Sequence, residues 1–495
     1  MKYDLSNPDN GLIEIKNNKQ QMGMSVAELK KYNLEQLKVN YATTSNMTNG
    51  DLRIACQKSW TEKALTRETF EACEVATAHG DSDAMLRLAT FYLTGQVVAQ
   101  DMNKYTELHE RSALQYNSEA LHMLGQDYYY GRGRSIDYNK AFELFKEAER
   151  RGSIQAKSSI GQCYQNGFGI PRNDTIAFKY YSEADRLGDS RAARQLGYAH
   201  SMGVGTPLNL EKGIQFFKKA IAAGEALAIT DMGHLYYQGR GVPKDKARAL
   251  EHYLLAAEKD ERTAIIYAGK MLVEGDGVPV NFARAVSLYE KAISLGDPFG
   301  NYNLAMMYFA GRGVPKSAEK AILYLEKSAS QGNFKAMTRL AYELLWGDNV
   351  SADDDKAFYW AKRAADAGFK ESYSILSYMY LHGMGVSSDD RNAFFWLEKS
   401  VKETNDSFDS ALLSFFYFYG IGTNEDQQQA LAWALKVEAK EAYANIVLAM
   451  LYMKGNVVPE NFTKAKQHLA KAKALDPELD GFFFSVVSKM LDVLE

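Results

Sequence analysis

Cysteine is scarce in this chain. The 495 residues include only three, Cys56, Cys73 and Cys163, and none of them forms a CxxC pair. Zinc sites and disulfide-stapled small domains need cysteines in larger numbers or at fixed short spacings. We therefore expect neither a disulfide framework nor a zinc site, and a reducing compartment suits such a chain best.

Long apolar runs and an excess of one charge are also missing. The longest apolar stretch, FFFSVV from Phe482, is far short of the roughly 20 residues that cross a bilayer. Residues 1–21 contain no apolar run typical of a secretory signal. We expect a cytoplasmic protein without membrane insertion. With 58 basic and 62 acidic residues the net charge is -4, which is too small to indicate nucleic acid as the main partner.

The chain does contain one sequence pattern that recurs eleven times. Its clearest marker is a glycine that recurs every 36 residues, with one interval longer by one and the next shorter by one: Gly95, Gly131, Gly167, Gly203, Gly239, Gly275, Gly311, Gly347, Gly383, Gly420 and Gly455. A unit this short cannot enclose a core alone, so neighbouring units must stack. The spacing predicts an all-α solenoid of about eleven 36-residue helix-turn-helix repeats.

Each repeat has the pattern of two helices around a breaker. The marker glycine is predicted to end the first helix in a left-handed cap conformation, and a second glycine usually follows two residues later. A small residue after the central leucine of the first helix indicates close approach of the second helix. Six residues after the marker comes a polar column that can cap the second helix: Asp101, Asp137, Asn173, Asn209, Asp245, Asn281, Ser317, Asp353, Asp389, Asp426 and Asn461.

Sequence outside the repeats is predicted to cover the two ends of the stack. We expect a flexible segment with one amphipathic helix in residues 1–50, a helical cap in 51–83, the repeats in 84–476 and a capping helix in 477–495. The last helix contains Phe482, Phe483 and Met490, and partner docking or dimerisation is the alternative to its capping role.

The complete pattern resembles the Sel-one-like repeats, relatives of the tetratricopeptide repeats. It reads Ala-x-x-x-Leu-Gly-x-x-Tyr-x-x-Gly-x-Gly-Val-Pro followed by Lys-Ala, and residues 226–257 contain it almost whole. The resemblance implies a right-handed superhelix of αα-hairpins that acts as an adaptor or scaffold for other proteins. Some members are similar to cysteine-rich secreted proteins with a disulfide in each repeat, a feature that this sequence lacks.

Patterns that indicate catalysis are weak. Ser317 and Lys320 have the SxxK spacing of penicillin-interacting enzymes, but they also occupy the capping column and the Lys-Ala column of the repeat. The eight histidines form no ligand cluster such as HExxH. Turns such as Gly131-Arg-Gly133 complete no phosphate-binding motif. We predict no catalytic residue, metal or cofactor.

Repeats 8 to 10 carry aromatic residues on one side of the first helix. At 100° per residue, Ala336, Leu340 and Leu344 form the packing stripe of repeat 8, and the aromatic residues fall on nearly the opposite side. Stacking predicts one row of Tyr342, Tyr378 and Phe415 and another of Trp346, His382 and Tyr419. The residues predicted to bind a partner are Arg339, Tyr342, Trp346, Tyr378, His382, Phe415 and Tyr419.

Two interpretations of these residues stay open. They can form a groove for a protein or peptide, since aromatic residues and arginine dominate many interfaces, or they can pack between neighbouring first helices. For the whole chain we predict a non-catalytic scaffold or adaptor that binds its partner on the concave face of the solenoid. The alternative is a hydrolase of the penicillin-interacting or peptidoglycan-associated type.

Overall fold

The computed structural model describes residues 53–57, 65–347 and 350–477. Twenty-four helices lie wholly within these ranges, residues 53–57 are helical as well, and these ranges contain no strand. Ten of the eleven repeats, all except repeat 5, are hairpins of two consecutive helices that pack on each other. The predicted all-α array of helical hairpins is confirmed.

The first of two compact units is Met1–Asp245. Its helix α1 (Arg67–Ala78) precedes the repeats. The first helices of repeats 1 to 5 are α2 (Ser82–Thr94), α4 (Ser118–Tyr130), α6 (Ile154–Asn166), α8 (Ser190–Met202) and α10 (Ala226–Gln238). The second helices of repeats 1 to 4 are α3 (Met102–Ala113), α5 (Tyr138–Arg150), α7 (Asp174–Arg186) and α9 (Leu210–Ala222).

The second unit is Lys246–Glu495, and it begins with the second helix of repeat 5. The first helices of repeats 6 to 11 are α12 (Arg262–Glu274), α14 (Pro298–Ala310), α16 (Phe334–Trp346), α18 (Tyr373–His382), α20 (Ser407–Tyr419) and α22 (Ala442–Lys454). The second helices of repeats 5 to 11 are α11 (Lys246–Glu258), α13 (Phe282–Ser294), α15 (Ala318–Ser330), α17 (Asp354–Asp366), α19 (Asp390–Thr404), α21 (Gln427–Val437) and α23 (Phe462–Leu475). A short 3-10 helix, Lys370–Ser372, leads into α18.

Ten of the eleven marker glycines end a first helix as predicted. Their φ angles lie between 65° and 72°, a left-handed conformation that glycine adopts without a steric penalty from Cβ. Gly347 is the exception, with φ -71° and ψ 121°. The predicted left-handed cap is wrong at this residue, where repeat 8 leaves its first helix through extended backbone that any residue can adopt.

The polar column caps the second helices. Asn281 Oδ1, for example, accepts a hydrogen bond from the backbone N–H of Arg284 at 3.0 Å. Ten members of the column accept such a bond: Asp101, Asp137, Asn173, Asn209, Asn281, Ser317, Asp353, Asp389, Asp426 and Asn461. The backbone N–H of each capping residue also donates to a carbonyl near the end of the preceding first helix, as Asp137 does to Tyr128 at 3.0 Å. One residue therefore starts the second helix and holds it to the first.

The small residue of the first helix makes room for an aromatic ring of the second. A Cβ atom at Gly125 would lie 2.6 Å from the Phe145 ring, and one at Gly269 would lie 2.5 Å from the Tyr289 ring. Glycine costs about 1 kcal/mol within a helix relative to alanine, and burial of a large ring contributes more than that. The predicted close approach of the two helices is confirmed at these positions.

The described N-terminal residues correct one expectation. Cys56, in the helical residues 53–57, forms a disulfide with Cys73 of α1, and their Cα atoms lie 4.8 Å apart. The expectation that the cysteines form no disulfide is wrong for this pair, because spacing along the chain does not reveal cysteines that two packed helices bring together. Cys163 is free and buried.

The predicted end segments lie largely outside the described residues. This applies to the amphipathic helix of residues 1–50 and, except for residue 477, to the capping helix of 477–495. Among the helices that the structure describes, none has the length and hydropathy needed to span a bilayer.

Candidate partner-binding surface

The packing stripe determines which face of α16 is buried and which is exposed. Ala336 and Leu340 are fully buried, and Leu344 is 5% exposed. Tyr342 and Trp346, on the other side of the helix, remain 46% and 38% exposed. The helical periodicity thus places the two rings on an accessible face.

The rings of repeats 8 and 9 form a continuous chain of contacts. The Tyr342 and Trp346 ring centroids lie 5.1 Å apart. Trp346 then meets Tyr378 of α18 edge to face at 5.0 Å, and Tyr378 meets His382 at 4.2 Å. The contact between the repeats therefore runs diagonally, from Trp346 to Tyr378, and crosses from one predicted row to the other. Edge-to-face pairs of this kind contribute about 0.5–1.5 kcal/mol beyond burial.

Repeat 10 adds a further aromatic pair. The rings of Phe415 and Tyr419 on α20 lie 4.6 Å apart, and the Tyr419 hydroxyl lies 3.3 Å from Sδ of Met450 on α22. Partial burial raises the pKa of Tyr419, although this residue is still 45% exposed. Phe415 is half-buried and packs against the core around α22.

The aromatic residues of repeats 8 to 10 differ in their burial. Tyr378 and Phe415 are half-buried and pack against the cores of their repeats. Tyr342, Trp346 and Tyr419 keep large accessible areas. Ring contacts therefore join exposed rings to half-buried ones, Trp346 to Tyr378 and Tyr419 to Phe415.

Arg339 extends the surface into repeat 7. Its Nη2 atom forms an ion pair with Glu343 Oε1 at 2.5 Å. Its guanidinium lies 5.5 Å from the ring centroid of Tyr342 and 5.7 Å from that of Phe309 on α14. Phe309 is not among the residues predicted from the sequence, although it lies two residues before a marker glycine, at a position that is apolar in several repeats. Glu343 neutralises the arginine, so the aromatic surface carries little net charge here.

The SxxK pair has a structural role in repeat 7. Ser317 Oγ accepts a hydrogen bond from the backbone N–H of Lys320 at 3.3 Å, and Lys320 Nζ lies 5.4 Å from the ring centroid of Tyr308. Helix capping and a cation–π contact therefore account for both residues, and no observation favours the hydrolase alternative. Within the described residues, no group of three or more His, Cys, Asp or Glu side chains is placed to hold a metal ion.

A model of the Sel1 repeat matches the chain eleven times. The matched residues are 82–116, 118–153, 155–189, 190–225, 226–261, 263–297, 298–333, 334–369, 370–405, 411–436 and 442–477. The chain belongs to the Sel1 repeat family. The candidate surface lies in the eighth to tenth Sel1 repeats, and proteins with Sel1 or tetratricopeptide-like repeats are generally protein-interaction scaffolds.

Solved structures of Sel1 repeat proteins are similar to the chain. The protein c5321, a protective antigen present in uropathogenic Escherichia coli strains and displaying an SLR fold, is 25% identical, with a TM-score of 0.50 over 93% of this chain and 97% of its own. A Sel1 repeat protein from Oxalobacter formigenes is 28% identical, with a TM-score of 0.43 over 51% of this chain and 100% of its own. The comparison with curated proteins finds no match.

Proposed function

We propose that this Sel1 repeat protein is a non-catalytic scaffold that binds a protein or peptide partner on the first helices of repeats 8 to 10. The contacting residues in this proposal are Arg339, Tyr342, Trp346, Tyr378, His382, Phe415 and Tyr419. The observation that carries the proposal is the ring chain from Tyr342 through Trp346 to Tyr378, which is accessible at one end and anchored in the core at the other.

Physical reasons support a peptide or protein as the occupant. Large rigid rings give up little conformational entropy on binding and supply much apolar area, and aromatic residues with arginine are the commonest interface hot spots. The ion pair between Arg339 and Glu343 leaves the surface without the excess positive charge that a nucleic acid requires. We keep the prediction that nucleic acid is not a partner.

The experiment starts with affinity capture on the full chain and identification of captured proteins by mass spectrometry. Binding of the purified partner is then measured for Tyr342→Ala combined with Trp346→Ala. Loss of a hot-spot contact costs about 2 kcal/mol, so we expect Kd to rise about 30-fold. The melting temperature should fall only modestly, since the variant loses ring contacts of about 0.5–1.5 kcal/mol each but no fully buried side chain.

The chain offers a matched control at the equivalent positions of repeat 6. Lys270 and Glu274 of α12 form an exposed ion pair at 3.7 Å, and surface pairs contribute little stability. Lys270→Ala combined with Glu274→Ala should bind the partner as the wild type does. Equal affinity of all three proteins, or unfolding of the Tyr342 and Trp346 variant, would show that the rings serve the fold instead.

The predicted cytoplasmic location has to be weighed against the Cys56–Cys73 disulfide. Disulfides persist in oxidising compartments and are rare in the cytosol. We infer that a cytoplasmic chain would hold these two thiols reduced. Rapid alkylation of cells that make the protein, followed by mass spectrometry of the peptides with Cys56 and Cys73, distinguishes the two states.

The remaining domain assignments are also proposals. We propose that residues 51–83 cover the first repeat, because the described part of this segment packs buried residues such as Phe70 and Cys73 against α2. A capping role for residues 477–495 stays a prediction, with docking or dimerisation as the alternative.

A further inference from the structure

A second exposed apolar surface lies on the second helices of repeats 7 to 9. One large side chain of each helix is about half exposed, and each lies six residues after the capping residue of its helix. These side chains are Leu323 on α15 (48% exposed), Tyr359 on α17 (51%) and Phe395 on α19 (52%). One repeat position therefore exposes an apolar side chain three times in succession.

The fold does not require an apolar residue at this position. The eight other repeats have a polar or small residue there: Glu107, Glu143, Lys179, Gln215, Glu251, Ser287, Ala432 and Gln467. Each of these repeats still forms its second helix. An exposed apolar side chain at one position of three consecutive repeats is typical of an interaction surface, so packing alone does not explain the three residues of repeats 7 to 9.

A basic residue lies one helical turn after each of these apolar side chains. Residues four apart share a helix face, and here the basic residues are Lys327, Arg363 and Lys399. Each is placed over an aromatic ring of its own helix, with distances to the ring centroid of 5.2 Å at Tyr324, 5.5 Å at Trp360 and 5.1 Å at Trp396. In the part of the chain that the structure describes, none of the three forms an ion pair with a carboxylate.

Basic residues at the same position of four other repeats are paired with carboxylates, whereas Lys436 of repeat 10 donates a hydrogen bond to Asn405 Oδ1 at 2.8 Å. The pairs are Arg111 with Glu107, Lys219 with Asp185, Lys291 with Asp260 and Lys471 with Glu438, at distances of 3.5, 2.7, 2.8 and 3.7 Å. Two acidic residues close to the apolar side chains pair with other cations, Asp366 with Lys362 on α17 and Glu398 with Lys402 on α19. A ring contact orients a cation but leaves its charge available. Repeats 7 to 9 therefore present three cations that can accept a carboxylate from outside.

We propose that these residues form a second docking surface, the second-helix patch, defined as Leu323, Tyr359, Phe395, Lys327, Arg363 and Lys399. Its occupant is a peptide segment of a protein partner in which apolar residues alternate with aspartate or glutamate. The apolar column buries the apolar side chains of the segment, and the cations pair with its carboxylates. The patch lies on different helices from the surface of the proposed function, and its test is independent of that surface.

Charge complementarity favours an acidic peptide over a nucleic acid. Binding of a phosphate backbone depends on many cations and falls steeply with salt, whereas the patch has three cations beside an equal number of large apolar side chains. Three of the six residues that define the patch are therefore apolar. Such a surface distinguishes a peptide with both apolar and acidic residues from a peptide with either kind alone.

The test uses the purified full chain and an array of 12-residue peptides in four classes: acidic with apolar, basic with apolar, acidic with polar, and basic with polar residues. We expect binding to the acidic and apolar class only. The Kd of the strongest such peptide, measured by fluorescence anisotropy, should rise at least about tenfold, equivalent to 1.4 kcal/mol, in the variant Lys327→Glu, Arg363→Glu and Lys399→Glu. The same rise is expected for Leu323→Ser, Tyr359→Ser and Phe395→Ser, with both variants folded by circular dichroism.

A matched control changes cations at the same repeat position that are already paired. The variant Lys219→Glu combined with Lys291→Glu changes the net charge by the same amount per substituted residue as the variant of the three patch cations. It should leave the Kd of the peptide unchanged. The proposal is overturned if no peptide class binds, if the basic classes bind as well, or if the control weakens binding as much as the patch variants do. Competition by a single-stranded oligonucleotide for the patch, or self-association that the patch variants abolish, would assign the surface to a different occupant and also overturn it.

Discussion

The Nδ1 atom of His109 lies 2.6 Å from Oδ2 of Asp127, and both side chains are fully buried. His109 belongs to α3 of repeat 1 and Asp127 to α4 of repeat 2. Tyr105 of α3 donates its hydroxyl proton to the other carboxylate oxygen, also at 2.6 Å. Burial and the nearby carboxylate raise the pKa of Tyr105 far above its ordinary value. Two repeats are thus joined by a polar cluster within an otherwise apolar contact.

Removal of the carboxylate should destabilise the chain strongly. Asp127→Ala leaves the buried hydroxyl of Tyr105 and the buried imidazole of His109 without their shared acceptor, and loss of one partner from such a cluster costs about 3–5 kcal/mol. We expect the triple variant Tyr105→Phe, His109→Leu and Asp127→Leu to lose much less, because no polar group is then left unpaired. Urea unfolding measures both, with the exposed Glu119→Ala on α4 as the control. Equal losses in the single and triple variants would contradict this account.

A second buried histidine makes stability depend on pH. Burial lowers the pKa of His122 from 6.5 to about 4, and its Nε2 atom lies 2.9 Å from the Ser159 hydroxyl. The unfolded chain therefore binds a proton between pH 6.5 and 4 that the folded chain does not. Stability from the neutral imidazole is complete above pH 6.5 and is lost as the pH falls toward 4, by about 2 kcal/mol between pH 7 and pH 5.

The comparison of wild type with His122→Gln isolates this effect from the carboxylates, which titrate in both proteins. The difference in unfolding free energy between them should change by about 2 kcal/mol from pH 7 to pH 5, to the disadvantage of the wild type. A difference that is independent of pH would show that the imidazole titrates normally in the folded chain.

The fold could be predicted because each repeat contains the local sequence signals that define its two helices. The marker glycine, the capping residue and the pair of a small residue with an aromatic ring, as in Gly125 and Phe145, are local signals that recur in step. Because the pattern recurs eleven times, one wrong prediction does not change the predicted fold. The left-handed cap predicted at Gly347 is wrong, and the helices on either side of this residue still form.

Contacts between repeats were harder to predict. Periodicity gave the exposed side of α16, but the diagonal contact of Trp346 with Tyr378 depends on how neighbouring helices are offset. Asp127 lies four residues before a marker glycine, where most repeats have an apolar residue, so its position indicated burial. Its partners on α3 are set by the packing of two repeats. The second-helix patch did leave a signal in the sequence. A large apolar side chain occupies this repeat position only in repeats 7, 8 and 9.

The thiols should react in a fixed order. Burial raises the pKa of the Cys163 thiol to about 12, and thiols react as thiolates, so iodoacetamide should leave the native chain unlabelled. One thiol should react in denaturant without reductant, and three should react after reduction. Mass spectrometry of the intact protein counts the adducts. Two or three adducts without reductant would contradict the Cys56–Cys73 bond.

The second glycine of a repeat turn should be far less replaceable than a glycine after the second helix. Gly169 and Gly188 both have positive φ, of 73° and 94°, so alanine costs about 1–2 kcal/mol of backbone strain at either. A Cβ atom at Gly188 meets nothing within 4 Å, whereas one at Gly169 would lie 2.2 Å from the carbonyl oxygen of Tyr138 in the preceding repeat. We expect Gly169→Ala to lose at least about 2 kcal/mol more than Gly188→Ala, because backbone atoms must move apart. Urea unfolding of the two variants side by side measures the difference, and equal losses would show that the turn does not hold adjacent repeats together.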